Sequence, residues 1–496
     1  MKAYIGIDLG TTYSAVAKID SSGRPRIIEN GGKNITASCV ALENDQLIVG
    51  DVPEKRYGHK GFKVGARFKR HMGEQYEVEL GSKSFSPTDL SAAVLKEIKK
   101  IAERDVGNLA ETVITIPANF MQEARDATML AAKKAGLNVK FIINEPTAAA
   151  LYYGYKEGSS LSGNYVVYDL GGGTFDVSVI SVKGDTIEVK ATEGVSKLGG
   201  DDFDKSLRRI VQEKYKAIVG KAIDEDDIPL SEMAMLKVKL SERANAPTML
   251  DNEIIEVTRE EFEAAIQPLI TQAELLCESV LEEADLEVSD ISGVFLAGGS
   301  TRIPKVRSSV TKVFKREPIS TANVDEVVAL GAALYAAIKS SGKHLNATQT
   351  AAIEKLRVHE IATYYFGTIS VRYSAARDTE ERQNTVIINK GEKIPCARTE
   401  TFQTRHENQT AIKCIVTKSG SPETDPRFVS NVWEGDLELP DGRPAGLDIE
   451  ISYKFDENGM MKCEFLDVES GRKTEIDLDS LTDNNSTSEI DKFLVD

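Results

Sequence analysis

Apolar and polar positions follow one order twice in this chain. Tyr4-Ile-Gly-Ile-Asp8-Leu-Gly10-Thr11-Thr12-Tyr13-Ser-Ala-Val-Ala17 and Tyr165-Val-Val-Tyr-Asp169-Leu-Gly171-Gly172-Gly173-Thr174-Phe175-Asp176-Val-Ser-Val179 each predict the same unit. It is an apolar strand, an aspartate at its end, a glycine turn with threonine, and a second strand. Strands over 3–19 and 27–51 open the chain. Ser86-Pro87 then predicts the start of a helix with Leu90, Val94, Ile98 and Ile101 on one face. Val113-Ile-Thr-Ile-Pro117 reads as a buried strand, residues 121–136 as a helix stopping at Gly136, and 139–143 as a further strand. This is α/β alternation, and a second α/β half begins at Tyr165.

Residues 202–285 read as a helix-rich, charged insertion, with Thr258-Arg-Glu-Glu261 as a capping box opening a long helix. A strand over 290–296 runs into a third glycine turn, Ala297-Gly298-Gly299-Ser300-Thr301-Arg302-Ile303-Pro304. Behind residue 340 the helical period fades. Residues 341–362 read as a linker, 363–480 as an all-β sandwich of short alternating strands (385–388, 399–404, 410–416, 447–455 and 462–468), and 481–496 as a tail.

Glycine turns let backbone N–H groups approach phosphate oxygens, and an aspartate at a strand end can hold a divalent cation through water. Either turn alone is most simply a turn. Two facing copies would clamp a nucleoside polyphosphate, so the repeat predicts an ATP site between two related halves.

A chain of 496 residues divides into two or three domains. Its net charge of −17 argues against a nucleic-acid surface, which needs a cationic face to release counterions. Cys39, Cys277, Cys396, Cys414 and Cys463 form no C-x-x-C pair, and the histidines are scattered, so both read as ordinary residues of a reduced, cytoplasmic protein. No apolar stretch reaches membrane-spanning length, and the N-terminus enters a strand at Tyr4 without a leader pattern. The acidic run Asp224-Glu-Asp-Asp227 reads as a solvated face and Trp433 as packing.

The two Asp-Leu-Gly turns, Asn144-Glu145-Pro146-Thr147-Ala148-Ala149-Ala150, Lys197-Leu198-Gly199-Gly200 and the Gly298–Pro304 turn, five motifs in order, resemble the seventy-kilodalton heat-shock chaperones, the DnaK family. The similarity continues through Ile394-Pro395, Thr401-Phe402-Gln-Thr, Asn408-Gln409 and Lys454-Phe-Asp-Glu-Asn-Gly459. The resemblance implies an actin-like (duplicated ribonuclease-H-like) ATPase domain over 1–340 followed by a β-sandwich that binds unfolded or extended polypeptide. ATP or ADP with Mg²⁺, and K⁺ as a further candidate ion, are the implied cofactors. A J-domain co-chaperone and a nucleotide-exchange factor are implied partners, and the protein is expected as a monomer that binds neither nucleic acid nor membrane.

Carried over by position, Asp8 and Asp169 match carboxylates that hold Mg²⁺ through water. Gly10, Thr11, Thr12, Tyr13 and Gly171, Gly172, Gly173 and Thr174 match the phosphate cradle, with Gly199 and Gly200 beside it. Lys69 matches the lysine near the attacking water, Glu145 and Asp176 the acids around that water and the metal, and Thr174 a proton relay. Lys237, Ser241, Gly298, Gly299, Ser300 and Arg302 match the adenosine side. Pro117 and Arg125 match a pair that passes nucleotide state to the substrate domain, and Phe402, Ile412 and Cys414 match the peptide cleft.

The chain departs from the family in four places. Ala234 and Val238 stand where a glutamate and an adenine-stacking arginine are usual, implying weaker nucleotide binding. Val358-His-Glu-Ile-Ala362 replaces the leucine-rich linker, and Phe141 stands where an arginine often contacts J-domain partners. The residues behind the sandwich leave no room for the family's helical lid, so fast peptide exchange is expected. Three rival readings accompany this one: an actin-like small-molecule kinase, a nucleotide-gated filament protein, and a slow or inactive ATPase acting as a peptide-binding module.

Overall fold

The repeated sequence unit folds into a repeated sheet. In the computed structural model, which describes residues 3–157, 161–183, 186–319, 322–340, 343–353, 357–374 and 379–477, strand Ala3–Asp8 pairs antiparallel with Tyr13–Ile19 and parallel with Leu109–Ile116. Strand Ser162–Leu170 does the same, antiparallel with Phe175–Lys183 and parallel with Ile291–Ala297. Each hairpin turn therefore emerges at the same corner of its sheet. The register sets Asp8 opposite Ala15 in one copy and Asp169 opposite Asp176 in the other.

Both sheets are covered by helices that their sequences cap. Ser86 and Asp89 form the capping box of helix Pro87–Val106, whose Leu90, Val94, Ile98 and Ile101 are buried against Ile5, Ile7 and Ile114. Thr258 and Glu261 do the same for helix Arg259–Glu283, which joins Phe203, Leu207 and strand residues Val166, Phe175 and Val177 in a second core. Each fully enclosed aliphatic side chain of this kind contributes about 1.5–3 kcal/mol. Helices Glu145–Glu157 and Val327–Lys339 cross at Gly331, where an added Cβ would meet the Ala148 carbonyl oxygen at 1.7 Å. Only a glycine admits that approach.

The charged insertion is less helical than its composition predicts. Helices Gly200–Val219 and Leu230–Glu242 are followed by an antiparallel hairpin, Asn245–Leu250 with Glu253–Thr258. Alternation there buries Ala246, Ile255 and Val257 and exposes Met249 and Ile254, a period of two that the surrounding helical pattern hides. The segment read as a linker also carries structure. Helix Ala347–Ile353 is opened by reciprocal bonds between Asn346 and Gln349, and Gln349 donates to the carbonyls of Ile19 and Asp20.

The described chain divides into two compact units, one ending at Val358 and the other beginning at His359. The second holds two antiparallel four-stranded sheets. One runs, in spatial order, Thr379–Ile388, Tyr365–Ser374, Ala411–Ser419 and Ser430–Glu438; the other Cys396–Gln403, Asp448–Phe455, Met461–Asp467 and Lys473–Asp477. Their inward residues, including Ile388, Val416, Leu437, Tyr453 and Phe465, share one core. Residues 481–496, read as a tail, lie outside the described residues. Among the described residues no helix is long and apolar enough to cross a membrane.

Candidate nucleotide site

The two glycine turns of the first unit face each other at contact distance. A Cβ built on Gly172 would lie 1.8 Å from Thr12 Oγ1, and one on Gly173 would lie 2.4 Å from Thr11 Cγ2. The threonines of the first turn thus occupy the space that side chains of the second would need. Local bonds shape the first turn: Ser14 Oγ accepts from the Gly10 N–H at 3.2 Å, and Ser38 Oγ donates to the Gly10 carbonyl at 2.8 Å. Tyr13, next along, is 41% exposed and its hydroxyl donates to Glu54.

Distant segments hold the second turn. The Gly200 and Asp201 N–H groups donate to the carbonyls of Gly171 and Gly172, fixing the start of helix Gly200–Val219 against the turn. Gly199 lies so close that its Cβ would be 2.6 Å from the Gly172 backbone. Ser300 Oγ donates to the Gly171 carbonyl at 2.8 Å, and Arg70 Nη2 reaches the Gly172 carbonyl at 3.4 Å. The third turn closes in from the other side: a Cβ on Gly298 would fall 2.7 Å from Asp169 Oδ1.

Four carboxylates and one lysine converge between the turns. Lys69 Nζ pairs with Glu145 Oε1 at 2.5 Å, both buried, and sits 5.7 Å from the Phe120 ring centroid. Burial pushes Asp8 up to about 7, with the Glu145 charge adding to it and Lys69 and a 3.3 Å bond from Thr115 opposing it. Burial, then Glu145, Asp176 and Asp8, holds Asp169 well above the ordinary carboxylate range. Asp176 is raised to about 8 by burial and Glu145, against Lys69 and the Asn119 N–H. Clustered carboxylates of this kind hold protons more tightly than usual, and a bound cation would reverse that shift. Asp176 Oδ1 and Thr12 Oγ1 are also buried without a hydrogen-bond partner, the condition a polar ligand would relieve. Among the described residues no three His, Cys, Asp or Glu side chains are placed to hold an ion directly.

Pro117 and Arg125 stand beside this cluster. The Pro117–Phe120 turn is closed by the Phe120 N–H on the Pro117 carbonyl at 3.2 Å. Arg125 donates to the Phe120 carbonyl and to Asn144 Oδ1, next to Glu145. On the far side, Lys237 donates to the Gly200 carbonyl and pairs with Asp204, each at 2.8 Å. Ser241 donates to the Lys237 carbonyl, and Arg302 bonds Asn323 and Asp325. In the second unit Phe402 and Ile412 are half-buried against the core, while Cys414 is wholly enclosed.

Sequence reasoning missed two arginines. Arg67 pairs with Asp201 at 2.8 Å and Arg70 with Asp202 at 2.7 Å, joining the segment around Lys69 to the start of helix Gly200–Val219. The only signal was their place beside Lys69 and the Asp201-Asp202 pair behind Gly200.

The sequence model of the family described as "Hsp70 protein" matches residues 4–80 and 76–496. The "Chaperone protein DnaK" of Mycoplasma mobile is 33% identical over 514 residues, covering 99% of this chain and 80% of that protein. Both matches run through the facing turns and on into the second unit, and the chain belongs to the Hsp70 family of ATP-hydrolysing chaperones.

Proposed function

We propose that the first unit is an actin-like ATPase of duplicated ribonuclease-H-like halves, and that its facing turns grip the phosphates of Mg²⁺-ATP to control capture and release of extended polypeptide by the β-rich unit. The meeting of Gly172 and Gly173 with Thr12 and Thr11 over a buried acid cluster carries this reading. Thr11, Thr12 and Gly171 to Thr174 form the cradle, with Gly10, Gly199 and Gly200 setting its walls. Asp8 and Asp169 would hold Mg²⁺ through water, and their raised pKa values fit residues awaiting a cation. Bound there, the ion would neutralise charge on the phosphate oxygens.

The chain's own residues supply the rest. Glu145 fixes the Lys69 ammonium, which orients the attacking water and balances charge on the transferring phosphoryl group. Asp176 and Thr174 would take up and relay the water's proton. Lys237, Ser241, Gly298, Gly299, Ser300 and Arg302 form the nucleoside side. Through Phe120 and Asn144, Pro117 and Arg125 touch the same cluster, which suits a role in passing on nucleotide state.

In the β-rich unit an extended chain would be held by backbone hydrogen bonds and an apolar pocket around Phe402 and Ile412, while Cys414, wholly enclosed, would pack behind it and not line it. A J-domain co-chaperone, an exchange factor, a monomeric state and a cytoplasmic location complete the reading. The test is phosphate release from Mg²⁺-ATP together with the off-rate of a fluorescent unfolded peptide in ATP and in ADP. Release of free phosphate and a nucleotide-dependent off-rate are expected. Phosphate transferred to a small molecule, or an off-rate blind to nucleotide, would overturn it.

A further inference from the structure

On the nucleoside side of the site, the polar side chains already have protein partners. The Lys237 ammonium is shared between Asp204 and the Gly200 carbonyl, the Ser241 hydroxyl turns back onto its own helix, and Ser300 donates to Gly171. Arg302 spends Nη2 on Asn323 and Asp325, which fixes its guanidinium while leaving the side chain 53% exposed. Positions 234, 237, 238 and 241 share one face of helix Leu230–Glu242 by their spacing of three and four. Around Lys237 that face offers only Ala234, half-buried, and Val238, 58% exposed.

Ala234 and Val238 cannot read the edge of a base. Telling adenine from guanine requires a donor or acceptor that the wrong base leaves unpaired, and a site so built rejects the wrong ligand by roughly 10⁴-fold or more. An apolar contact discriminates by only about 10–200-fold. A guanidinium face and an aliphatic side chain offer stacking, which every base accepts.

We propose that Ala234 and Val238 make this a base-tolerant site, so that the chain turns over GTP and ITP as well as ATP and takes its specificity from the triphosphate. The proposal rests on the reading of the facing turns as a nucleoside triphosphate site. It goes beyond that reading by widening the substrate class.

The experiment is initial-rate phosphate release by the full chain with the Mg²⁺ salts of ATP, GTP and ITP, repeated for the Ala234→Glu/Val238→Arg double variant. A native ATP-over-GTP ratio of kcat/KM below about a hundredfold is expected. The double variant should widen that ratio at least roughly tenfold through KM, with kcat little changed, because the introduced carboxylate could accept from the adenine amino group and not from the guanine carbonyl. A native ratio above a hundredfold overturns the proposal and leaves the triphosphate reading standing. A native chain that binds and hydrolyses none of the three overturns both. Since the native ratio alone decides, poor folding of the double variant does not protect the idea, and the single change Ala234→Glu, which carries the acceptor, gives a second measure of the shift.

Discussion

The first and second glycine turns descend from one sequence pattern, yet they are held in opposite ways. Bonds from Ser14, four residues on, and Ser38, 28 residues on, shape the first. The second is shaped by the Gly200 and Asp201 amides, by Ser300 and by Arg70, which come from three separate parts of the chain. The first turn can thus form within its own half of the unit. The second depends on the helical insertion and the third turn closing around it, so movement of those parts would reach any phosphate bound there.

The largest effect should come from substituting single glycines of the second turn. Gly172→Ala places a methyl 1.8 Å from Thr12 Oγ1, so the turns must separate. ATP hydrolysis should fall at least about a hundredfold, the scale of losing preorganised donors, while circular dichroism stays native. Gly171→Ala meets nothing nearer than the Thr174 carbonyl at 3.9 Å and should keep activity within roughly threefold, since ordinary contact costs little. Equal damage by the two changes would mean that the turns do not meet as described.

Removal of Lys69 comes next, because its charge lowers Asp8 of the first turn and Asp169 and Asp176 of the second alike. Lys69→Met should cut the single-turnover rate of hydrolysis by about 10²–10³. It also leaves Glu145 buried without its partner, a loss of about 3–5 kcal/mol. Adding Glu145→Gln removes that charge. Thermal stability should therefore recover in the double variant while hydrolysis does not. Recovery of both would make the pair purely structural.

What the sequence revealed follows the same division between local and distant. The strand–turn–strand units and the Ser86 and Thr258 caps depend on neighbours within a few residues, and all were readable. Asp8 and Asp169 were read from the repeat itself and Lys69, Glu145 and Asp176 through a resemblance, and the folded chain brings all five into one cluster. The pairs Arg67–Asp201 and Arg70–Asp202 span more than a hundred positions, and no local period announces them. The hairpin Asn245–Thr258 was masked by the helices on either side. Helix Ala347–Ile353 was missed because seven residues hold too few apolar positions to show a period.

The smallest effect tests the comparison most directly, by removing one hydroxyl that braces each turn. Ser14 is buried and bonds both the Gly10 N–H and the Ser38 hydroxyl, so Ser14→Ala should lower global stability by about 1–2 kcal/mol. Nucleotide affinity should change little, since Ser38 still holds the Gly10 carbonyl. Ser300→Ala instead cuts a bond between the third turn and the second, at a Gly171 that is only half-buried, so water can replace the lost donor and stability should hardly move. The turn would be freer in the absence of ligand. Binding must then supply about 1 kcal/mol of ordering, which lowers ATP affinity roughly fivefold. Calorimetric titration and thermal melts on both variants read the two quantities separately. If Ser14→Ala weakens ATP binding as much as Ser300→Ala does, the turns are equally dependent on their surroundings, and the second has no special claim to couple the phosphates to the rest of the chain.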